Sequence, residues 1–228
     1  MTTRKLIGAI ALAAAAVAQG ISAQIIAIEP SKLEAKNVKV ESVRFKGRKA
    51  VRIVDSASND TPDGERVAVL RGIEFESGVI EIDLAGDTVP GAPPDFRGFV
   101  GMAFRMSADK SKYEAFYLRP KNGRSDDQLQ RNHSAQYISE PDFPWQRLRQ
   151  ETPGKYETYV DLVPGDWVKV RIEVRGERAR FFVHGFEQPT LVVNDLKHGQ
   201  SKGSIALWIG PRTVAHFSNL RIIREWTH

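Results

Sequence analysis

Residues 164–185, PGDWVKVRIEVRGERARFFVHG, contain the clearest strand pattern of the sequence. From position 168 to position 175 every second residue is Val or Ile, and the residues between them are Lys, Arg or Glu. An alternation with a period of two is typical of a strand that has one buried and one solvated face. Gly176 and Gly185 end alternating runs and indicate turns. The stretch therefore predicts antiparallel strands that follow Trp167.

The same period of two recurs along the chain, in IEIDL at 80–84, IALWI at 205–209 and VKV at 38–40. Gly47 and Gly203 lie between such runs and indicate further turns. The sequence after the N-terminal region shows no long amphipathic helical pattern, no internal repeat and no linker rich in Pro or Ser. Many short strands joined by turns predict an all-β protein, a jelly-roll β-sandwich of two antiparallel sheets.

Residues 1–23 have the pattern of a secretory signal peptide. Arg4 and Lys5 precede an apolar run at 6–18, and small residues end at Ala23, where we expect cleavage. A retained membrane anchor is the alternative, but the run is shorter than the ~20 residues of a spanning helix. We therefore expect a cleaved signal at 1–23 and a single domain at 24–228 without a membrane contact. This pattern favours a periplasmic or secreted bacterial protein.

Composition excludes several classes of protein. The chain has 228 residues, of which 41% are hydrophobic and 27% are charged, so it has enough apolar material for a folded core. It has no cysteine, which excludes thiol catalysis, zinc knuckles and iron–sulfur clusters. Loss of Arg4 and Lys5 with the signal lowers the formal net charge from +5 to +3, and this charge is dispersed. We therefore expect no nucleic-acid partner. The oligomeric state has no signature in the sequence.

Two segments interrupt the strand pattern. Residues 87–97 are rich in Pro and Gly and predict a loop. Residues 120–152 are rich in Arg, Asp, Asn and Gln, and carry Tyr137, Phe143 and Trp145 without sustained alternation. Loops of this length in a compact domain are usually functional or disordered. Because the aromatic residues favour an ordered segment, we expect one long functional loop and place the candidate site there.

Several short motifs together resemble the 3-keto-disaccharide hydrolase domain family. They are GFVGMAFR at 98–105, YE at 113–114, PGDWVKV at 164–170, HG at 184–185, GSIAL at 203–207 and FSNLRI at 217–222. The resemblance extends from about Val67 to Ile223 and implies a concanavalin-like, laminin-G-like sandwich. The chain departs from the family at His184, where the family usually has Asn. The long loop matches no motif of the family.

The resemblance implies a carbohydrate ligand on the concave face of the sandwich or on its rim loops. It also implies cleavage of the glycosidic bond of a sugar that is oxidised at C3, by removal of a proton next to the keto group. Such a reaction requires a base, a donor to the developing enolate and a donor to the leaving oxygen. It requires no cofactor, and we expect no metal at the site.

One face of two predicted strands collects candidate groups. In the strand at 100–106, Arg105 has the same parity as two small residues, which means that it is an even number of positions from them and faces the same side of the sheet. The small residues leave room for a ligand. On the next strand Tyr113, Tyr117 and Arg119 have the parity opposite to the core positions. The tyrosine rings are suited to substrate stacking, and the two arginines to donation toward a developing oxyanion. The alternative is an outward sheet face with solvated charges.

Two residues are candidates for the base. Glu114 has the parity of core positions, and a buried carboxyl has a raised pKa that suits acid or base catalysis. It also matches the Glu that follows Tyr in the family motif, although a salt bridge at the strand end explains it equally well. His133 is the only histidine in the long loop and is a natural proton carrier. A solvent-exposed surface histidine is the alternative.

Three further residues are candidate substrate contacts. Trp145 can stack on a sugar ring or close the open edge of the sandwich. Trp208 has the parity opposite to its apolar neighbours, which places it on the ligand face. Asp127 lies in the long loop beside Asp126. Calcium bound by these carboxylates and Asn122 is one interpretation, and a helix cap or turn is the favoured one.

Three functions therefore remain open for the sequence. The first is an exported enzyme that acts on 3-keto-glycosides, with Glu114 or His133 as base and Arg105 and Arg119 as donors. The second is a non-catalytic carbohydrate-binding module, whose affinity depends on aromatic side chains and not on a carboxylate. The third is a protein-interaction sandwich of the laminin-G type. A carbohydrate-directed function is favoured, and an enzyme is only narrowly favoured over a binding module.

Overall fold

The computed structural model describes residues 22–58 and 65–224. The strands within them are β1 Ser22–Ile25, β2 Leu33–Lys36, β3 Val38–Phe45, β4 Arg48–Asp55, β5 Val67–Phe75, β6 Gly78–Thr88, β7 Val100–Met106, β8 Tyr113–Leu118, β9 Ala135–Glu140, β10 Glu157–Thr158, β11 Val168–Arg175, β12 Arg178–Val183, β13 Leu191–Val193, β14 Gly203–Ile209 and β15 Thr213–Arg224. The helices are α1 Gln128–Asn132 and α2 Trp145–Glu151, with 3-10 turns at Pro30–Lys32 and Pro120–Asn122. No helix in these ranges is long and apolar enough to cross a bilayer.

The strands form two antiparallel sheets. The first sheet has the order β13-β12-β11-β6-β15-β4-β3, and β1 pairs with β15 beside it. The second sheet has the order β10-β9-β8-β7-β14-β5-β2. Strands that are adjacent in a sheet are often distant in sequence, as β6 and β15 are. The predicted jelly-roll β-sandwich is therefore confirmed.

The core lies between the two sheets. Its centre is a series of aromatic rings in which Phe116 of the second sheet packs on Phe181 of the first, with ring centroids 5.1 Å apart. Phe104 lies 6.2 Å from Phe116 in the neighbouring strand. These three side chains are at most 1% exposed. Their burial, at about 25 cal/mol for each Å² of apolar surface, provides much of the driving force that holds the sheets together.

The alternation that predicted the strands reflects the burial of their two faces. In β11 the Val and Ile residues are buried, whereas the charged residues between them are exposed or half-buried. The solvated outer face belongs to the first sheet. In the second sheet both faces of β7 and β8 are buried, because other segments cover the outer face as well.

The segment predicted as one long loop contains regular structure. Within residues 120–152 lie both helices and the strand β9. Strand β9 was not predicted, because residues 135–139 are all buried and a strand buried on both faces lacks the polar alternation. The segment returns to the sheet through β9, so α1 and α2 are held against the outer face of the second sheet by strand pairing.

Residues 1–21 of the predicted signal peptide lie outside the described residues. Ser22 and Ala23 belong to β1, where they pair with Arg224 and Ile223. Cleavage after Ala23 stays a prediction, and it would leave Gln24 and Ile25 as the remainder of that strand.

Candidate functional site

The site is built on one row of residues across the second sheet. Gln136 of β9 pairs with Tyr117 of β8. Tyr117 pairs with Gly101 of β7, and Gly101 pairs with Trp208 of β14. Residues paired in this way point to the same face of a sheet. The predicted outward parity of Tyr117 and Trp208 agrees with this register.

A glycine in the middle of this row lets two aromatic rings meet. The rings of Tyr117 and Trp208 lie with centroids 4.7 Å apart, although strand β7 separates their backbones. A Cβ atom on Gly101 would lie 2.5 Å from Cβ of Tyr117 and 2.2 Å from the carbonyl oxygen of Phe116. Both distances are too short for any side chain, so only glycine allows this arrangement.

Tyr113 supports this ring pair from below. Its hydroxyl oxygen accepts a hydrogen bond of 3.1 Å from Nε1 of Trp208. The bond reaches from β14 to β8 across β7, where Ala103 contributes only a methyl group. Burial raises the pKa of Tyr113 well above its ordinary value, so the phenol stays neutral. Tyr113 therefore orients the indole and lies beneath the ligand surface, not on it.

Above the ring pair is a pocket of about 360 Å³. This volume lies within the range of about 300–1,000 Å³ that small-molecule sites occupy. Its apolar surface includes Phe99, Tyr117, Trp208 and Trp145. Its polar surface includes Arg119, Asn122, His133, Glu140 and Arg149. The sequence-predicted residues Tyr117, Arg119, His133, Trp145 and Trp208 thus meet at one site.

Trp145 forms one wall of the pocket at the first residue of α2. The guanidinium of Arg149, one helical turn later, lies 4.7 Å from the centroid of its ring, and that of Arg119 lies 5.8 Å from it. The spacing of four residues places Trp145 and Arg149 on one face of the helix. Leu148 is 2% exposed and anchors α2 to the protein. Two cations therefore lie close to the tryptophan ring, and each is attracted to it.

Arg119 is a buried cation that is bonded to neutral groups. Its Nη1 donates to the carbonyl oxygen of His133 at 2.8 Å and to Oε1 of Gln136 at 3.2 Å. Its Nη2 donates to the hydroxyl of Tyr117 at 2.7 Å and to the same oxygen of Gln136 at 3.2 Å. Burial lowers its pKa.

These contacts define the role of Arg119 at the site. The bonds occupy its terminal N–H groups, so Arg119 positions Tyr117 and supplies a fixed charge. The sequence had suggested a donor to the ligand.

His133 lies against a carboxylate. Its Nδ1 lies 2.9 Å from Oε2 of Glu157, at the distance of an ion pair but without the direction of a hydrogen bond. Burial lowers the pKa of His133, and the nearby Arg149 and Arg119 lower it further, while Glu157 opposes them. The imidazole is therefore neutral near pH 7. Since Nδ1 faces Glu157, Nε2 is the ring nitrogen that remains for a ligand.

Glu157 also binds Arg149. The Nε of Arg149 lies 3.1 Å from both carboxylate oxygens, and Nη2 donates to Oε2 at 2.7 Å. Within the described part of the chain Nη1 of Arg149 makes no hydrogen bond, and the residue lines the pocket. Arg149 thus has N–H groups that can donate to a ligand, whereas the terminal N–H groups of Arg119 are already bonded.

Two further polar groups, Asn122 and Glu140, line the pocket. Asn122 is 3% exposed, and its Oδ1 is buried without a hydrogen-bond partner among the described residues. Its Nδ2 donates to the carbonyl oxygen of His133 at 3.3 Å, which fixes the orientation of the amide. Glu140 lies four residues along β9 from Gln136, about 13 Å away at the rise of a strand. The pocket therefore has a cationic end and an acidic end.

Two predicted catalytic residues lie elsewhere. Arg105 donates to the carbonyl oxygens of Gly176 at 2.7 Å, Gly199 at 2.8 Å and Glu76 at 2.9 Å, and it does not line the pocket. Its φ of 55° marks a bulge, since one more residue stands in β7 than in β14 between successive pairs. The bulge interrupts the alternation on which the prediction depended. Arg105 instead ties three chain segments together.

Glu114 lies on the core side of the second sheet. It is fully buried, accepts a hydrogen bond of 2.8 Å from the backbone N–H of His198, and accepts another from the hydroxyl of Tyr137. Burial and the adjacent carboxylate raise the pKa of Tyr137. Its parity was predicted correctly, but this parity directs it away from the pocket. Glu114 binds the segment after β13 to the sheet.

Asp127 caps a helix. Its Oδ1 accepts from the backbone N–H of Leu129 at 2.8 Å and of Gln130 at 3.4 Å, at the start of α1. The side chain is exposed and does not line the pocket. The interpretation of Asp127 as a cap is therefore confirmed, and the structure does not bring it to the substrate site.

Sequence reasoning missed two residues that line the pocket, Arg149 and Glu140, and two that support it, Gln136 and Glu157. Arg149 could have been found from its spacing of four residues after Trp145. Gln136 and Glu140 alternate with buried residues, but the absence of a recognised strand hid their common face. Glu157 belongs to a strand of two residues, and no local pattern points to it.

Comparisons with known proteins support the fold. No family model and no curated protein sequence matches the chain. Among solved structures it is similar to the carbohydrate binding module CBM66 from Bacillus subtilis, with a TM-score of 0.55 and 13% identity over 84% of this chain and 95% of that one. It is also similar to a protein of unknown function with a galectin-like fold from Bacillus subtilis, with a TM-score of 0.54 and 11% identity over 86% and 91%. The chain therefore has a galectin-like, concanavalin-like β-sandwich fold.

Proposed function

We propose that the protein binds a saccharide in the pocket on the outer face of the second sheet. The observation that carries this proposal is the close pair of tilted rings of Tyr117 and Trp208, with Trp145 beside it, in a pocket that also presents His, Arg and Asn side chains. Sugars have apolar ring faces and a rim of hydroxyl groups. A floor of aromatic rings with polar groups around it matches both.

Two other observations support a carbohydrate ligand. One structural neighbour is named a carbohydrate binding module. The sequence motifs resemble the 3-keto-disaccharide hydrolase domain family, whose ligands are sugars. With the signal pattern at 1–23, we further propose that the protein meets its ligand outside the cytoplasm.

Titration calorimetry with a panel of mono- and oligosaccharides tests the binding. Trp145→Ala should weaken the affinity about fivefold to thirtyfold, because a ring that packs on a ligand contributes on the order of 1–2 kcal/mol. Phe186→Ala is the matched control, since Phe186 is 61% exposed and does not line the pocket. Equal losses in the two variants, or no heat with any sugar, would instead favour the protein-interaction function.

A catalytic function is the finer proposal, and the pairing of His133 with Glu157 favours it. In this reaction Nε2 of His133 removes the proton from the carbon next to the 3-keto group, and the electron pair forms an enolate. The N–H groups on Nη1 of Arg149 stabilise the developing oxyanion. The enolate then expels the glycosidic oxygen, the C1–O bond breaks, and protonated His133 returns the proton to the leaving oxygen. The products are an unsaturated keto sugar and an alcohol, and water then adds to the former.

Proton NMR of 3-keto-disaccharides with the purified protein tests this reaction. New anomeric signals from the keto sugars, and not from their parents, are the expected result. His133→Asn should abolish turnover while sugar binding persists, and His184→Asn is the control because His184 lies in a distant turn. Binding without turnover in the unchanged protein would make the chain a binding module.

A further inference from the structure

The cationic end of the pocket holds more positive than negative charge. At this end Arg119 and Arg149 are the cations, and Glu157 is the carboxylate that pairs with Arg149. The other charged residues that line the pocket are Arg97, Asp95 and Glu140. Arg119 makes no ion pair with any described residue, although it is only 5% exposed. His133 adds no charge near pH 7, because its pKa is lowered. One positive charge is therefore left without a partner in a buried place.

A buried and unpaired cation is unfavourable unless something compensates it. Removal of a guanidinium from water costs free energy that hydrogen bonds to neutral oxygens recover only in part. The neutral partners of Arg119 are Tyr117, Gln136 and the backbone of His133. The field of the cation extends into the pocket, where a low dielectric environment increases its effect. An anionic group of the ligand would supply the missing charge.

The same end of the pocket has free donors for such a group. Both N–H groups on Nη1 of Arg149 lack a partner among the described residues, and Arg149 lines the pocket. An N–H of a guanidinium makes a strong hydrogen bond to a carboxylate or sulfate oxygen. The anion would thus contact Arg149 directly and would be attracted by Arg119 through space.

Asn122 indicates that the ligand also carries hydroxyl groups near this anion. Its buried Oδ1 is an acceptor without a partner, so it requires a donor such as a hydroxyl. A simple anion offers no donor at this place. Glu140, at the opposite end of the pocket, is a second acceptor for hydroxyl groups. The chemistry required is that of a sugar with one acidic substituent.

We propose that the ligand of this pocket is an acidic saccharide, with one anionic group such as a hexuronate carboxylate held between Arg149 and Arg119. The proposal rests on the proposed function, since it assumes that a sugar binds in the pocket. It adds the class of sugar and its orientation: the anion lies at the arginine end, the ring lies on Trp208 and Tyr117, and hydroxyl groups point to Glu140.

Paired probes test the charge requirement by calorimetry. The pairs are glucose with glucuronate, galactose with galacturonate and mannose with mannuronate, together with trimers of galacturonate and mannuronate. Galactose 6-sulfate is added to the panel, because its comparison with galacturonate shows whether the pocket prefers a carboxylate to another monoanion. We expect at least one uronate to bind about tenfold or more tightly than its neutral partner, with an affinity that falls as NaCl is raised.

Variants of Arg149 separate the charge from the fold. Arg149→Gln leaves Arg119 and Glu157 to cancel, so the ratio of the affinities for the uronate and for its neutral partner should fall toward one. Arg149→Lys keeps the charge and should keep part of the preference. Arg147→Gln is the control, since Arg147 is exposed and bonded to Glu151. Thermal melting verifies that each variant is folded.

The outcomes distinguish the two proposals. Equal or tighter binding of the neutral sugars would overturn the acidic class and leave the saccharide function intact. Tight binding of the sulfate alone would overturn the carboxylate assignment. If no sugar of the panel gave a binding heat, both proposals would be overturned.

Discussion

Gly101→Ala should both destabilise the protein and weaken the ligand site. The added methyl carbon would lie 2.2 Å from the carbonyl oxygen of Phe116 and 2.5 Å from Cβ of Tyr117. Neither atom can move freely, because β7 is hydrogen-bonded to β8 on one side and to β14 on the other. The strands must separate locally, or Tyr117 must leave its contact with Trp208.

The expected loss of stability follows from these contacts. Overpacking of a buried site costs about 1–3 kcal/mol, and backbone contacts in a central strand favour the upper value. For a domain of this size, about 3 kcal/mol corresponds to a melting temperature lower by about 6–12 °C. Loss of the aromatic pair, worth about 0.5–1.5 kcal/mol, should weaken saccharide binding about threefold to tenfold. Circular-dichroism melting and calorimetry measure the two effects.

Gly72→Asn is the matched control. Gly72 has a φ of 69°, and a Cβ at this position would meet no atom within 4 Å. Asn tolerates this conformation better than most residues, so a loss below about 1 kcal/mol is expected. If Gly101→Ala melted within a degree of the unchanged protein and bound sugar equally well, the close approach of the two rings across β7 would not require glycine.

Three further predictions concern residues outside the pocket. His216 stacks on Phe45 and lies near Arg52, and its pKa is lowered by burial and this cation from 6.5 to about 4. As the pH falls, His216 of the unfolded chain therefore takes up its proton before His216 of the folded protein does. The free energy of unfolding should fall by about 1–2 kcal/mol between pH 6.5 and pH 4, after a discount for the partial exposure of the ring. Urea titration at both pH values should show a smaller fall for His216→Asn than for the unchanged protein, and an equal fall would contradict the assignment. Arg105→Met should lower the free energy of unfolding by about 2–4 kcal/mol in urea, since three partly buried carbonyl oxygens lose their donor, whereas saccharide affinity should not change. Glu114→Gln should leave both saccharide affinity and any turnover of keto sugars unchanged, and a selective loss of turnover in NMR would return Glu114 to the catalytic site.

The sequence predicted the fold where strands have unequal faces. Residues 168–175 alternate because water contacts one side of β11. Strand β9 has no such contrast, because α2 and the neighbouring segments cover its outer side. Segments buried on both faces become recognisable only after the tertiary structure is known, since their neighbours come from distant parts of the chain.

The candidate site was predictable wherever the residues of a strand alternate regularly between its two faces. Trp208 and Tyr117 were placed on the pocket face, and Trp145 and His133 were assigned to the correct segment. Arg105 was misplaced because a bulge adds one residue to β7, and the sequence has no local sign of it. Glu157 was missed because its importance comes from contacts with His133 and Arg149, both of which approach from other elements.

The floor and the walls of the pocket have different origins in the chain. The aromatic floor comes from Tyr117 of β8 and Trp208 of β14, whereas Arg119, Asn122, His133, Trp145 and Arg149 all belong to a continuous stretch of about thirty residues at 119–149. Such a stretch can be exchanged as a unit, because strand pairing fixes its two ends and loops tolerate variation better than the elements they connect. Transplantation of another sequence between β8 and β10 would thus give a sandwich with the same aromatic base and a new preference for sugars. The architecture is suited to diversification by evolution and by engineering alike.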